Sequence, residues 1–178
     1  MEEHVVLVDE TDRPVGTERK LAAHVSGALH RAFSVFVFDG AGSLLLQRRA
    51  RTKYHSGGFW ANTCCGHPRP GESVHEAATR RLREEMGVGC ELRSLTTFRY
   101  RADVGNGLVE HEYDHIFVGR FDGAPSPDPD EVEDWRWVTM VELTGEIARD
   151  ADRFAAWFPP ALGELRAHLA DRAAGNGQ

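Results

Sequence analysis

The sequence predicts an α+β fold, a sandwich of mixed sheets flanked by helices. Short β-type runs come first with helical segments interspersed, and the regular strand–helix alternation of a parallel α/β sheet is missing. The chain has 178 residues with 41% hydrophobic and 28% charged content and no internal repeat, which is enough for one sizeable core. One domain over 1–174 is expected, with the Gly-containing end, 175–178, as a disordered tail.

In chain order, β-type runs stand at HVVLVD (4–9), FSVFVFD (33–39), SLLLQRR (43–49), LTTFRYRA (95–102), about 110–121, and VEDWRWV (132–138). The turn formers DETDRP, DGAG, VGNG and DGAPSPDPD separate them. Helical patterns cover 73–86, 139–150 and 159–174. In the first helix Ser73 and Glu76 match a capping box and Gly87 a C-terminal stop. At about 100° per residue, Val74, Ala77, Ala78 and Leu82 form an apolar stripe while Glu76, Thr79, Arg80 and Arg83 face away. Arg81 and Glu85 fall inside that stripe. The helix dipole opposes a carboxylate at this end by about 0.3–1 kcal/mol, so Glu85 needs a positive neighbour. Arg81, one turn earlier, or a divalent cation arriving with a phosphate would serve.

A net charge of -7 excludes an extended nucleic-acid or anionic-membrane surface, although a local basic pocket for a small anion remains open. The N-terminus, MEEHVVLVDE, lacks a basic segment followed by an apolar stretch, and no apolar run approaches the ~20 residues of a membrane helix. Cys64, Cys65 and Cys90 are an odd, partly adjacent set that suits a reducing compartment. A cytoplasmic monomer without nucleic-acid or membrane partners is expected.

Glu110 and Glu112 are two apart on a β-type run, so their side chains share a face. Adjacent carboxylates repel unless a cation or proton intervenes, and a solvated acidic face is the alternative. His111 and His115 lie on the opposite face. His4, His55, His75 and His168 are expected to have no catalytic role.

Gly66, Glu72, Arg80, Glu84, Glu85, Gly87 and Val88 stand at the spacing of the Nudix box, seven positions in register over 23 residues. The chain resembles that superfamily, which implies an α/β/α sandwich. One position departs: Arg81 replaces the glutamate that hydrolases of this fold use, with the doubled pair, to hold metal around a diphosphate. The wider likeness is to the type 1 isopentenyl-diphosphate isomerases. It is carried by LHRAFSVFVFD, LLLQRRARTKYHSGGFWANTCCGHPRPGES, RRLREEMGV, FRYRA and VEHEYDH, over roughly residues 4–160.

That resemblance implies an isomerase interconverting isopentenyl and dimethylallyl diphosphate through a carbocation-like species. Cys65 and Glu112 would be the proton-transfer pair, with Tyr100 hydrogen-bonded beside Glu112 and Trp157 over the developing cation; Trp60, Trp135 and Trp137 are other aromatic candidates. Cys64 is read as a structural neighbour. His24, His30, His67, Glu110 and Glu112 would hold one divalent ion, and such a mixed imidazole and carboxylate set suits manganese or zinc. Lys20, Arg49, Lys53 and Arg81 would bind the diphosphate, with Glu85 holding magnesium bridged to it. Two other readings stay open: a Nudix hydrolase of a nucleoside or prenyl diphosphate, and a metal- or diphosphate-binding module without chemistry.

Overall fold

The computed structural model describes residues 3–53 and 55–175. Its centre is β3 (His30–Phe38), buried along most of its length as its mainly apolar sequence AFSVFVF dictates. One edge of β3 pairs in parallel with β8 (Val109–Arg120), from His30↔Glu112 to Phe38↔Arg120. β7 (Leu92–Asp103) continues that side antiparallel to β8, opposing Tyr100 to Glu112. The other edge of β3 is shared by β1 (His4–Val8), β6 (Cys64–Gly66) and β4 (Leu44–Arg49). β4 in turn pairs with β5 (Trp60–Ala61) and β9 (Val132–Val138), while β2 (Pro14–Arg19) lies outside β1. The β3–β8 pair is parallel and the rest antiparallel, which makes the sheet mixed.

Alternation along β3 divides the core. Phe33, Val35 and Val37 pack with Ala77, Ala78, Leu82 and Met86 of α2 (Val74–Met86). Phe36 points the other way, into a cluster with Trp157, Phe158, Ala161 and Leu165 at the start of α4 (Phe158–Gly175). Leu143 of α3 (Met140–Arg149) joins that second cluster. Helices on both faces of a mixed sheet are the expected sandwich. Both expected end signals of α2 are present: Ser73 and Glu76 exchange capping bonds, and Gly87 adopts φ +63°. Gly87 is required twice, because a Cβ there would also collide with the Ser126 carbonyl.

Five of the described elements were not anticipated, one of them the single 3-10 turn Ala151–Arg153. β2 is exposed at every residue and carries a proline and a glycine, so it shows no alternation. α1 (Lys20–Ser26) is only seven residues long and ends at Gly27 in the left-handed region, too short for a helical period to emerge. β5 and β6 have two and three residues, existing because β4 and β3 offer them partners. The last helix runs from Phe158 through Gly175, one residue into the expected tail; 176–178 lie outside the described residues. No described helix is long and apolar enough to cross a membrane.

Candidate active site

Register assembles the imidazole end of the site. His30 opens β3 directly beside Glu112 of β8, and His67 follows β6 immediately after Gly66. Their Nε2 atoms stand 3.2 Å apart, at 3.5 Å (His30) and 2.9 Å (His67) from Glu112 Oε1. His24 comes from α1 and brings its ring centroid to 4.9 Å from His30 and 5.6 Å from His67. His24 Nδ1 donates to the Lys20 carbonyl at 2.7 Å and His30 Nδ1 to that of Ala28 at 2.8 Å. A carbonyl can only accept, so each ring carries its proton on Nδ1 and turns an Nε2 lone pair toward the cluster.

This donor set fits a divalent ion. One donor atom from each of His24, His30, His67 and Glu112 lies within 4.8 Å of the others. Donors bound at about 2.0–2.2 Å at right angles to one another stand about 3 Å apart, close to the spacings between His30, His67 and Glu112. Burial lowers the pKa of His24 and takes that of His67 down to about 3, which keeps these imidazoles neutral as ligation requires.

The carboxylates tell the same story. Glu110, Glu112 and Asp114 alternate along β8 and are all buried, while His111 and His115 face the opposite side. His111 Nδ1 there meets the Gly27 carbonyl at 3.0 Å, and His115 Nε2 meets Asp12 at 3.0 Å. Burial and then the Glu112 charge hold the Glu110 carboxyl well above its ordinary range. Burial acts against ionisation of Glu112 as well, but the neighbouring His30 and His67 imidazoles hold it well below. Burial and Glu112 push Asp114 up to about 8, against the bond donated by Ser34 at 2.7 Å. Buried carboxylates this close ionise together only when a cation enters. The Tyr100 hydroxyl donates to Glu112 Oε2 at 2.5 Å and lies 3.0 Å from Glu110 Oε2.

A cavity of about 740 Å³ opens beside this cluster, and Cys65, Tyr100, Glu110, Glu112 and Trp157 all line it. Cys65 sits opposite Ser34 in the short β6–β3 ladder, so strand alternation sends its neighbour Cys64 into the core under α2. Burial pushes the Cys65 thiol up to about 12, partly opposed by Arg49 and reinforced by Glu85, Glu110 and Glu112. It therefore stays protonated at neutral pH. Arg49 Nη1 is 3.9 Å from Cys65 Sγ, and the same guanidinium lies 5.0 Å from the ring centre of Trp157. Trp157 is fixed by its Nε1 donating to Asn62 Oδ1 at 3.1 Å.

Lys20, Lys53, Arg81 and Glu85 line the same cavity. Arg81 Nη2 binds Glu85, the pairing considered from the helix pattern, and also Glu131 at 3.2 Å; Nη1 reaches Glu84 at 2.9 Å. Gln47 donates to the second Glu85 oxygen at 3.0 Å, and Lys53 pairs with Glu131. Glu72 and Arg80 form a two-bond pair at 2.7 and 2.8 Å. The structure thus brings every residue singled out for the site into one neighbourhood, with His24 and His30 behind the cavity wall.

Two residues were missed. Glu131, in the acidic turn before β9, ties Lys53 to Arg81, and nothing in a run of solvated acids marks it. His55, expected to have no catalytic role, is buried with Nε2 3.5 Å from Glu110 Oε1 and its ring 5.7 Å from His24. A lone histidine in a loop carries no periodicity that would have revealed this.

The NUDIX domain family matches residues 28–158. Isopentenyl-diphosphate Delta-isomerase 2 of Aromatoleum aromaticum is 55% identical over 162 residues, 91% of this chain and 86% of its own length. The isopentenyl-diphosphate Delta-isomerase of Burkholderia multivorans is 56% identical over 158 residues, 89% and 90% of the two chains. Among solved structures, a Deinococcus radiodurans protein superposes with a TM-score of 0.73 at 24% identity, covering 92% of this chain and 98% of that one, a likeness of fold. With a Nudix box in register on α2 and relatives above one-half identity across nearly the whole chain, the chain belongs to the isopentenyl-diphosphate Delta-isomerase family within the NUDIX fold.

Proposed function

We propose that this protein interconverts isopentenyl and dimethylallyl diphosphate by two proton transfers, with Cys65 and Glu112 flanking the alkene. The observation that carries this reading is the shared cavity: a protonated thiol and a carboxylate bonded to a tyrosine line one chamber whose far end carries lysines and arginines paired with carboxylates. A five-carbon olefin with a diphosphate tail matches that division, and the volume lies in the usual range for a small-molecule site.

The reaction adds a proton at the terminal methylene and removes one from the carbon beside the oxymethylene. One member of the pair gives the proton, the other takes it, and the roles exchange in the reverse direction. Tyr100 orients the Glu112 carboxyl and links it to Glu110. The Trp157 ring faces the developing positive charge, worth about 0.5–2 kcal/mol, while the buried walls exclude the water that would quench it. His24, His30, His67, Glu110 and Glu112 would hold a manganese or zinc ion, whose charge would acidify the Glu112 carboxyl, and Glu85 would hold a magnesium that offsets the diphosphate. Lys20, Arg49, Lys53 and Arg81 grip the phosphates. The three free cysteines and acidic surface suit a cytoplasmic monomer acting on a small substrate.

Hydrolysis is disfavoured by the α2 carboxylates. Arg80 and Arg81 both bind Glu84 Oε2, at 3.1 and 2.9 Å, and Arg81 occupies the position where the box has a further glutamate. Incubation with isopentenyl diphosphate and magnesium in heavy water separates the readings. Deuterated dimethylallyl diphosphate without phosphate release is expected. Phosphate without rearrangement means a hydrolase, and binding without either product means a module that has lost its chemistry.

A further inference from the structure

We infer that His55 is a fourth imidazole donor of the metal centre, an inference that rests on the divalent site proposed above. The donor atoms near β8 fall into two sets, each within 4.8 Å: His24, His30, His67 and Glu112, and separately His24, His55 and Glu110. His24 is common to both. Glu110 therefore joins the cluster in the company of His55, not of His30 and His67. An ion that engages both Glu110 and Glu112 has His55 at its Glu110 side.

The ring is oriented for this. His55 Nδ1 faces the Ser56 hydroxyl at 3.3 Å, which leaves Nε2 toward Glu110 Oε1 at 3.5 Å. Its ring stands edge-on to Trp157 at 6.0 Å, so the aromatic wall of the cavity fixes its plane. The loop that carries it is tightly closed. A Cβ at Gly57 would come within 2.7 Å of the Arg51 carbonyl, Gly58 adopts φ +83°, and the Gly58 N–H donates to the Arg49 carbonyl at 2.9 Å. Lys53 thus meets Glu131 at one end of the cavity and His55 meets Glu110 at the imidazole end. With His55, six side chains, four imidazoles and two carboxylates, stand in two donor sets joined by His24; drawn onto one ion they would make a set suited to a six-coordinate ion such as manganese.

The test is pulsed electron paramagnetic resonance of the full chain, stripped of metal and reloaded with Mn(II), with 15N-labelled histidine to count coupled imidazoles. Four are expected in the wild type and three in His55→Phe, which keeps a ring against Trp157. Manganese affinity should fall ~10–100-fold in both His55→Phe and His55→Ala, and free imidazole should restore part of it in His55→Ala. The melting temperature of the metal-free chain is a fold control for each variant. Three imidazoles in the wild type, or unchanged affinity in His55→Phe, overturns the assignment while leaving the five-residue site standing. Absence of any manganese binding by the wild type removes that site as well, a result distinguishable from the first.

Discussion

At the imidazole end of the cavity, three buried carboxylates on one face of β8 meet neutral histidines. At the end proposed for the diphosphate, Arg81 and Lys53 are already paired with Glu84, Glu85 and Glu131. The first end is short of positive charge, so its carboxyls ionise together only if an ion arrives from outside. At the second, cations and carboxylates satisfy one another, so a diphosphate has to exchange into existing pairs. The first end is centred on β3 and β8, where register holds His30, Glu110 and Glu112 rigidly, with His24 from α1 and His67 from just after β6 completing it. The second sits on a helix face and two loops, where long side chains can change partners. A site that moves protons at fixed carbon atoms needs the former; one that captures and releases a charged tail needs the latter.

Four substitutions probe that contrast. The largest effect is expected at the strand-built end: Cys65→Ala and Glu112→Gln should each lower kcat by roughly 10²–10⁴-fold, with the circular-dichroism melt of Cys65→Ala unchanged. Near-normal turnover in either variant would break the proton-transfer assignment.

At the exchangeable end, Lys53→Met should act mainly on KM, raising it roughly 10–100-fold, in line with the ~1.5–3 kcal/mol of a hydrogen bond to a charged group. Steady-state kinetics checks the split. A fall in kcat with KM unchanged would mean that the two ends are not separate in function.

The smallest effect concerns the Glu72–Arg80 pair that braces α2 at the rim. The Arg80 bond holds the Glu72 carboxyl below its ordinary range. Its contribution is therefore fully present above the unfolded value of about 4.3 and is lost as pH falls through the lower folded value. Thermal melts of the wild type and Arg80→Met should differ by about 1 kcal/mol or less at pH 7 and converge in acid. A difference that persists below pH 3 would assign the stabilisation to packing or to the Arg80–Glu84 contact instead.

The same contrast explains what could be read in advance. Glu110, Glu112 and Asp114 alternate on a strand, and Ser73, Glu76 and Gly87 bracket a helix; both are local periodicities that the chain obeys in any context. The placement of Glu85 inside the α2 stripe belongs to this class, and its answer turned out to include Arg81 four residues away. His55 and Glu131 have no such period around them. α1, which carries His24, is seven residues of weak pattern that hold together through Gly27 and through the sheet beneath.

The sequence by itself determined the elements with a strong period, the Nudix spacing, and the chemical types able to move a proton or hold an ion. Only the tertiary structure decided that the thiol of residue 65 and the carboxyl of residue 112 share one chamber, and that His55 closes on Glu110. The reason is distance along the chain. β3 pairs in parallel with a strand some eighty residues later and antiparallel with a three-residue strand about thirty residues on. Such pairings are selected by how two faces of one sheet bury against α2 and α4, a free energy that belongs to the packed core and to no single segment.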